Sequence, residues 1–371
     1  MWLPDPARMA PMLLGAMIGM AVTVLLQWLL QPVAHRLDLL DHPRGRKDHA
    51  HPTPITGGVA MMVAAIATTV ALRVPLSGAF HGYLYGSLLL IVVGLLDDRH
   101  DLAWWVRIPA QMVAALLMVY VGDVRVEHIG PLFGLADTAL GAWSVPLTVF
   151  ATVGLINAIN MIDGADGLAG MLVLTALLML CAAALYSGNH LLALRLGTLS
   201  GVVAGFLAYN LRLPWRSRAH VFMGNAGSAF LGFTIAWAVF RLTQDPNHEV
   251  SPVLALWLLP IPVMDTLVLI VRRLKTRRSP FAADRSHIHH LMLDAGFGPT
   301  RAALLLSAFS AVVGFAAAEA MRLDVPESLL LAAYLLLCLG WYLVTARHAR
   351  AIGFFRRLRG QPAAKANPAS R

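Results

Sequence analysis

The chain has 371 residues, of which 58% are hydrophobic and 13% are charged, and its mean hydropathy is +0.67. This composition excludes an ordinary soluble domain and indicates a polytopic membrane protein. The formal net charge of +9 does not indicate nucleic-acid binding, because most basic residues lie in short loops and a tail beside apolar segments. Anionic lipid headgroups and phosphate substrates account better for basic residues in such places.

About eleven segments are apolar and long enough to cross a bilayer. We predict an all-α polytopic membrane protein with one transmembrane domain over residues 1–346. Segment 122–144 could form a short β-hairpin, and the basic tail 347–371 is expected to be disordered. The predicted spans are 9–30, 55–72, 80–96, 104–121, 145–162, 168–187, 190–209, 226–241, 250–271, 301–320 and 326–346.

The distribution of basic residues predicts the orientation of these spans. A cluster follows the first span, at Arg36, Arg44, Arg46 and Lys47. It predicts an N-terminus outside and a first loop in the cytoplasm. An odd number of spans then leaves the C-terminus cytoplasmic. The predicted cytoplasmic loops are 31–54, 97–103, 163–167, 210–225 and 272–300.

The third span ends in GLLDDRHDL (94–102), which contains the adjacent carboxylates Asp97 and Asp98. Two such carboxylates repel each other unless a divalent cation or a shared proton lies between them. A solvated turn with Arg99 and Asp101 as local partners is the simpler interpretation of one isolated pair. Four further polar clusters lie on the same predicted face, beginning with DHPRGRKDHAHPTPITGG (41–58) in the first loop, and they favour a functional role.

The fifth span ends in NAINMIDGADGLAG (157–170), with Asn157, Asn160, Asp163 and Asp166. The spacing of three between the first three of these places them along one helix face. Amide and carboxylate oxygens are hard ligands suited to Mg²⁺ or Mn²⁺, and they also bind nucleoside hydroxyls and base edges. The alternative is a capped helix end followed by an Asx turn. The full pattern is rarer than that alternative requires, so it favours function.

Two more clusters follow, FMGNAGSAF (222–230) and SPFAADRSHIHHLMLDAGF (279–297). His287 and His290 would share a helix face and could form a zinc pair, but no Cys or Glu lies nearby to complete the site. Contacts from the imidazoles and Arg285 to phosphate are the preferred interpretation. Surface histidines without a role are the alternative.

Together these clusters resemble the polyprenyl-phosphate N-acetylhexosamine-1-phosphate transferases of glycosyltransferase family 4, especially the WecA-type enzymes. The resemblance covers five motifs between Asp41 and Phe297. It implies transfer of a sugar 1-phosphate from UDP-N-acetylglucosamine, or a similar UDP-amino sugar, to undecaprenyl phosphate, with release of UMP and a requirement for Mg²⁺ or Mn²⁺. It also implies a bacterial inner-membrane enzyme, with its active site on the cytoplasmic face, that starts a lipid-linked glycan such as O-antigen. It allows a homodimer.

The same resemblance implies roles for individual residues. The catalytic group would be Asp97, Asp98, Asp163 and Asp166, of which the first two would position or deprotonate the lipid phosphate. The metal ligands would be Asp98, Asn160 and Asn225. The substrate contacts would be Lys47, Asn157, Arg285, His287, His289 and His290.

Asn225 departs from the family pattern, which usually has Asp at this position of MGNAGS. The loss of one anionic charge leaves three outcomes: weaker metal affinity, compensation by Asp163 or Asp98, or a silent relative that only binds UDP-sugar or lipid. We expect an active enzyme, because the other motifs are intact. The run ADRSHIHH favours N-acetylglucosamine, followed by N-acetylgalactosamine or another acetamido sugar. A transporter would place polar groups at mid-bilayer, often with internal repeats, and the sequence shows neither.

Overall fold

The computed structural model is a bundle of α-helices and describes residues 6–42, 52–131, 139–247, 250–279 and 286–360. Within these ranges a two-stranded antiparallel ribbon joins β1 (Leu40–Asp41) to β2 (Thr53–Pro54). The α-helices are α1 (Pro6–Arg36), α2 (Gly57–Ala71), α3 (Gly78–His100), α4 (Trp104–Tyr120), α5 (Ser144–Ile162), α6 (Leu168–Tyr186), α7 (His190–Asn210), α8 (Gly224–Thr243), α9 (Leu254–Leu258), α10 (Pro260–Lys275), α11 (Ile288–Asp294), α12 (Pro299–Arg322), α13 (Glu327–Thr345) and α14 (His348–Leu358).

The prediction of a helical, multi-pass membrane protein is confirmed at this level. Among the described residues, eight helices are long and apolar enough to cross a membrane: α1, α3, α5, α6, α7, α8, α12 and α13. The apolar helices α2 and α4 also coincide with predicted spans but have only 15 and 17 residues. The total of eleven spans stays a prediction.

The predicted ninth span, 250–271, is not one continuous helix. Helix α9 stops at Leu258, and α10 starts at Pro260 after Leu259, whose φ and ψ are −130° and 48°. Proline has no N–H to donate, and its ring disfavours helical geometry in the preceding residue. Pro260 and Pro262 therefore explain the break.

Two other expectations fall partly on residues outside the described ranges. Segment 122–144 contains an isolated bridge between His128 and Ala139 and a 3₁₀ turn at Gly141–Trp143, but 132–138 lie outside the described residues, so the hairpin stays a prediction. The tail differs from the expectation, because residues 348–358 form α14. This helix buries Ala351 and Phe355 against the bundle, which explains why it is ordered.

Helix α8 lies at the centre of the bundle and packs against α2, α3, α5 and α6. Small residues let the backbones approach closely. A Cβ on Gly58 would overlap the backbone of Gly227 in α8, and a Cβ on Gly94 of α3 would overlap the backbone of Ala226. Glycines of α7 let α1 approach closely in the same way; for example, a Cβ on Gly201 would overlap the backbone of Ala16.

Contacts between connections bring several helix ends together. The Phe222 N–H donates to the Pro54 carbonyl, and the Gly57 N–H donates to the Phe222 carbonyl, so the β-ribbon is joined to the start of α8. We call this end of the bundle the polar end. It comprises the α3–α4, α5–α6 and α7–α8 connections, the β-ribbon and α11.

Candidate active site

Helix α3 ends in the adjacent Asp97 and Asp98. Asp97 is 3% exposed, and its carboxylate closes the turn into α4. Its Oδ1 accepts a hydrogen bond from the Leu102 N–H at 2.8 Å, and its Oδ2 accepts one from Arg107 Nη1 at 3.0 Å. Arg107 therefore neutralises the charge of Asp97 and is itself fixed at the polar end.

Asp98 is held by backbone amides instead of a side chain. Its Oδ1 accepts from the Asn225 N–H at 2.7 Å, and its Oδ2 accepts from the Ala226 N–H at 3.3 Å. These are amides of the first turn of α8, whose helix dipole favours a negative charge. Gly224 has a φ of +71°, and a Cβ there would lie 2.6 Å from Asp98 Oδ2. Glycine is therefore needed at this position for the carboxylate to reach the helix end.

Side-chain amides line the neighbouring face of α5. Asn160 Nδ2 donates to Asn225 Oδ1 and to Ser228 Oγ, both at 2.9 Å. One turn earlier, Asn157 Nδ2 donates to Gln111 Oε1 at 2.7 Å. The predicted pair Asn160 and Asn225 thus touches directly, although 65 residues separate the two along the chain.

Asp163 follows the last residue of α5 and lies in a strongly negative environment. Burial, together with the nearby charges of Asp98 and Asp166, raises the pKa of its carboxyl to about 7. Within the part of the chain that the structure describes, the Asp163 carboxylate has no hydrogen-bond donor and no ion-pair partner. An uncompensated carboxylate among other carboxylates favours a cation or a proton.

Asp166 differs from Asp163, because a cation and a backbone amide already hold it. Arg212 Nε donates to Asp166 Oδ2 at 2.6 Å, and the Ala219 N–H donates to the same oxygen at 3.2 Å. The Asp166 side chain is 12% exposed. Its contacts join the α5–α6 turn to the α7–α8 connection.

The histidine segment is anchored by a buried carboxylate. Asp265 of α10 is 1% exposed; its Oδ2 accepts from His287 Nδ1 at 2.9 Å, and its Oδ1 accepts from Trp341 Nε1 at 3.1 Å. The Ile288 N–H also donates to Asp265, at 3.2 Å. Because the carboxylate accepts the Nδ1 proton, the Nε2 of His287 is the nitrogen left for other partners.

His289 connects this segment to the α5–α6 turn. It is 1% exposed, and its ring stacks on His287 with centroids 5.9 Å apart and lies 4.1 Å from the ring of His290. A Cβ on Gly164 would overlap His289 Nε2. The glycine that follows Asp163 therefore lets the imidazole approach the backbone of this turn.

A small cleft with a cavity volume of about 30 Å³ lies between α3, α4, α5 and α8. Its polar lining holds the Asp97–Arg107 ion pair and the Gln111–Asn157 hydrogen bond, and its apolar lining faces the interior of the bundle. The lining residues are Leu90, Val93, Gly94, Asp97, Arg107, Gln111, Ile156, Asn157, Asn160, Asn225 and Ala229. The Asp97–Arg107 ion pair is therefore accessible from this cleft.

The donor set at the polar end suits a hard divalent cation. Among the described residues, no group of three or more His, Cys, Asp or Glu side chains is arranged as a metal cage. The candidate ligands are instead both carboxylate and amide oxygens. Asp98 and Asp163, which have no arginine partner among the described residues, lie beside the side-chain amides of Asn160 and Asn225. Mg²⁺ usually takes one or two carboxylates and leaves its other positions to water and substrate phosphates.

Ten of the twelve predicted site residues lie within this network: Asp97, Asp98, Asn157, Asn160, Asp163, Asp166, Asn225, His287, His289 and His290. Lys47 and Arg285 lie outside the described residues. Their predicted substrate contacts stay predictions.

Five residues that contact the network were not predicted from the sequence. Arg107 and Gln111 line the cleft, Arg212 pairs with Asp166, and Asp265 and Trp341 anchor His287. A charged or amide residue inside an apolar helix is a signal that could have indicated the first two and Asp265. Nothing in the sequence indicates which partner each one meets.

The matches to known proteins agree with this architecture and site. The family model for glycosyl transferase family 4 matches residues 80–243, which include α3, α5 and the start of α8. The chain belongs to glycosyl transferase family 4. The predicted family resemblance is thereby confirmed.

Similar proteins carry the name undecaprenyl-phosphate alpha-N-acetylglucosaminyl 1-phosphate transferase. The one from Yersinia pestis is 34% identical over 328 residues, which is 88% of this chain and 89% of the relative. The one from Escherichia coli O157:H7 is 33% identical over 340 residues, 91% of this chain and 92% of the relative. The one from Haemophilus influenzae is 34% identical over 287 residues, 76% and 79% of the two chains.

Proposed function

We propose that this protein transfers N-acetylglucosamine 1-phosphate from UDP-N-acetylglucosamine to undecaprenyl phosphate and releases UMP. In this reaction a phosphate oxygen of the lipid attacks the phosphorus that carries the sugar. The bond from that phosphorus to the bridging oxygen breaks, and UMP leaves with the bridging oxygen. The names of relatives that align over about nine-tenths of the chain support this proposal.

One observation carries the proposal at the level of the site. The four predicted catalytic carboxylates, Asp97, Asp98, Asp163 and Asp166, lie at the polar end, and among the described residues arginines neutralise Asp97 and Asp166. The other two, Asp98 and Asp163, are close enough for the charge of one to raise the pKa of the other. A lipid phosphate that approaches a nucleotide diphosphate brings more negative charge, so the reaction needs cationic compensation here.

The residues fit a Mg²⁺ or Mn²⁺ ion held by Asp98, Asn160 and Asn225, with Asp163 beside them. When bound, such an ion would neutralise the developing charge on the phosphoryl oxygens. Arg107 faces the cleft and could hold the lipid phosphate next to the ion pair with Asp97.

The remaining residues would bind the nucleotide sugar. Asn157 lines the same cleft, and His289 borders the α5–α6 turn with the rings of His287 and His290 beside it. Imidazoles and a guanidinium are suited to contacts with a diphosphate, and Lys47 and Arg285 would add positive charge from their loops. The sugar is taken to be N-acetylglucosamine, with another acetamido sugar as the alternative.

We also propose the orientation of the bundle. With eleven crossings, of which α9 and α10 together make the ninth, the polar end faces the cytoplasm of a bacterial inner membrane, where UDP-sugars are found. The basic residues on the connections at this end support that orientation.

The test uses the purified full chain in lipid nanodiscs. We expect UMP release, and a lipid product whose mass exceeds that of undecaprenyl phosphate by one N-acetylglucosamine 1-phosphate, only when undecaprenyl phosphate and Mg²⁺ are both present. UDP-N-acetylgalactosamine replaces the donor in a parallel reaction to decide the sugar. Binding of UDP-N-acetylglucosamine without UMP release under these conditions would identify a silent relative and overturn the proposal.

A further inference from the structure

Helix α14 has two different faces. Ala351 and Phe355 are buried against the bundle, whereas Phe354 is 41% exposed and Leu358 is 66% exposed. The exposed arginines on the same side as these two residues are Arg347, Arg350 and Arg357. Residues 346–360 contain no Asp or Glu. Apolar side chains flanked by arginines are typical of a helix that lies in the headgroup region of a membrane.

The position of α14 agrees with such a location. It begins only three residues after the end of α13, a candidate membrane span that exposes Leu335, Leu336, Leu339 and Leu343. The chain therefore has no length in which to leave the membrane surface before α14 starts. At the end of α10, Lys275 and Arg272 lie over the ring of Tyr342 and extend the basic surface along the same level.

The two ends of α14 contact the C-terminal end of the histidine helix α11 and the residues just after it. His348 Nε2 lies 3.6 Å from Asp294 Oδ2, and Arg359 Nη1 donates to the Ala295 carbonyl at 3.4 Å. The guanidinium of Arg359 also lies 6.0 Å from the centre of the Phe297 ring. A displacement of α14 would therefore move α11.

A second connection runs from α14 to His287. The ring of Phe355 lies 6.0 Å from the ring of Trp341, edge to face. Trp341 donates its indole N–H to Asp265, and the same carboxylate accepts the Nδ1 proton of His287. His289 stacks on His287 and packs on the turn after Asp163. The path from the outer helix to the candidate active site is continuous and made of buried and partly buried contacts.

We propose that α14 binds anionic phospholipid headgroups and that this binding holds the histidine segment in place for substrate. The partner is the membrane surface itself, recognised by Arg347, Arg350 and Arg357 with Phe354 and Leu358 as the inserted residues. The inference rests on the proposed function only for what the histidines bind. The surface contact and its coupling to α11 are measurable without any substrate.

The surface contact is tested first, in substrate-free protein. A fluorophore is attached at Leu358→Cys in a Cys338→Ala background, and its quenching by brominated lipids is measured in nanodiscs of phosphatidylcholine with and without about 30 mol% phosphatidylglycerol. We expect quenching at Leu358→Cys to rise at least about twofold with the anionic lipid. A label at Leu343→Cys provides the reference for full contact with acyl chains. Absence of quenching at Leu358→Cys in both lipids would overturn the proposal.

Coupling to the site is tested by hydrogen exchange and by rate. Anionic lipid should slow amide exchange in 288–294 and raise the transfer rate at low UDP-sugar concentration about threefold or more. The triple variant Arg347/Arg350/Arg357→Gln should lose both responses. The matched variant Arg73/Arg125/Arg322→Gln, which removes three charges at the opposite end, should keep them. Equal responses in the two triple variants would overturn the proposal.

Trp341→Phe separates the two parts of the inference. It keeps a ring beside Phe355 but removes the N–H donor to Asp265, so quenching at Leu358→Cys should persist while the effect of lipid on exchange in 288–294 disappears. An undiminished exchange response would refute the path through Trp341. A chain that transfers no sugar in any lipid would refute the proposed function, and the quenching and exchange results would still decide the role of α14.

Discussion

The two aspartate pairs, Asp97 with Asp98 and Asp163 with Asp166, share one arrangement and differ in one respect. In each pair an arginine from another helix or connection neutralises one carboxylate, Arg107 for Asp97 and Arg212 for Asp166. The other member lacks such a partner among the described residues. Asp98 receives two backbone N–H groups from α8, whereas Asp163 receives no donor and has two carboxylates nearby.

We propose that this difference separates residues that build the site from residues that act in it. The arginine-paired carboxylates close turns and join connections, and their charge is already satisfied. Asp98 is fixed in place before any ligand arrives, whereas burial and the neighbouring carboxylates disfavour the ionised form of Asp163, which a cation would stabilise. The most sensitive chemistry should therefore depend on Asp98 and Asp163.

The largest expected effect follows from removing one of these two charges. Asp98→Asn or Asp163→Asn should lower the transfer rate by at least about a hundredfold, because each removes a charge that the metal and the phosphates need in place. The measurement is UMP release from nanodiscs at saturating substrates. Gel-filtration profiles and helical circular dichroism should remain like those of the parent protein. A rate within threefold of the parent for either variant would remove that residue from the mechanism.

Breaking an arginine pair should cost stability more than chemistry. Asp166→Asn leaves Arg212 without its anion, and Arg212→Gln leaves Asp166 uncompensated, so each should lower the free energy of unfolding by about 2 kcal/mol. The double variant should lose less than the sum, since no unpaired charge remains. Thermal unfolding of the four proteins measures the coupling. Additive losses would show that the pair contributes no net interaction.

A carboxylate at position 225 would add a negative charge beside the other proposed metal ligands, Asp98 and Asn160. Asn225→Asp should lower the Mg²⁺ concentration for half-maximal rate about tenfold, because a charge next to a divalent ion is worth a few kcal/mol before desolvation is subtracted. Ser228→Ala, which removes a neighbouring hydroxyl group without changing any charge, serves as the control. An unchanged Mg²⁺ requirement would mean that residue 225 is not a ligand.

The smallest effect concerns pH. The pKa of Asp163 is about 7 in the folded chain and near 3.8 when unfolded. Between these values the folded protein keeps a proton that the unfolded chain has lost, so stability without metal falls as pH rises and is lowest above pH 7. Asp163→Asn removes this penalty, which we set at about 1–2 kcal/mol because the side chain is partly exposed.

In EDTA, the melting temperature of Asp163→Asn should therefore exceed that of the parent at about pH 8 and approach it at about pH 4. Mg²⁺ should narrow the gap at the higher pH, since a cation favours the ionised carboxylate of the parent. A difference in melting temperature that does not change with pH would show that it arises from burial of the Asp163 side chain and not from its ionisation.

Much of this architecture could be predicted from the sequence. Apolar segments separated by short polar ones indicated the helices, and ten predicted site residues lie in one network because alternate connections of a helical bundle return to the same end. The break at Leu259 was missed although LLPIP contains its cause. Hydropathy measures how apolar a segment is, whereas the break depends on a missing N–H and a steric clash at Pro260.

The partners of the polar residues could not be predicted. Trp341 meets Asp265 across 76 positions and Arg212 meets Asp166 across 46, and such pairs depend on which helices pack side by side. Helix α14 was missed for a related reason. Its composition is that of a basic tail, and it is ordered by the burial of Phe355 against rings from α13 and from the residues after α11.

The close contact of α3 and α8 has a consequence for how the chain tolerates sequence change. Gly58, Gly94 and Gly227 take no part in the chemistry, yet one added methyl group at Gly94 would force α3 away from α8. Asp98 and the amides that hold it belong to those two helices, so the displacement would open their hydrogen bonds. These glycines therefore fix the positions of the reacting groups. Substitution of one of them should be as damaging to the reaction as loss of a carboxylate.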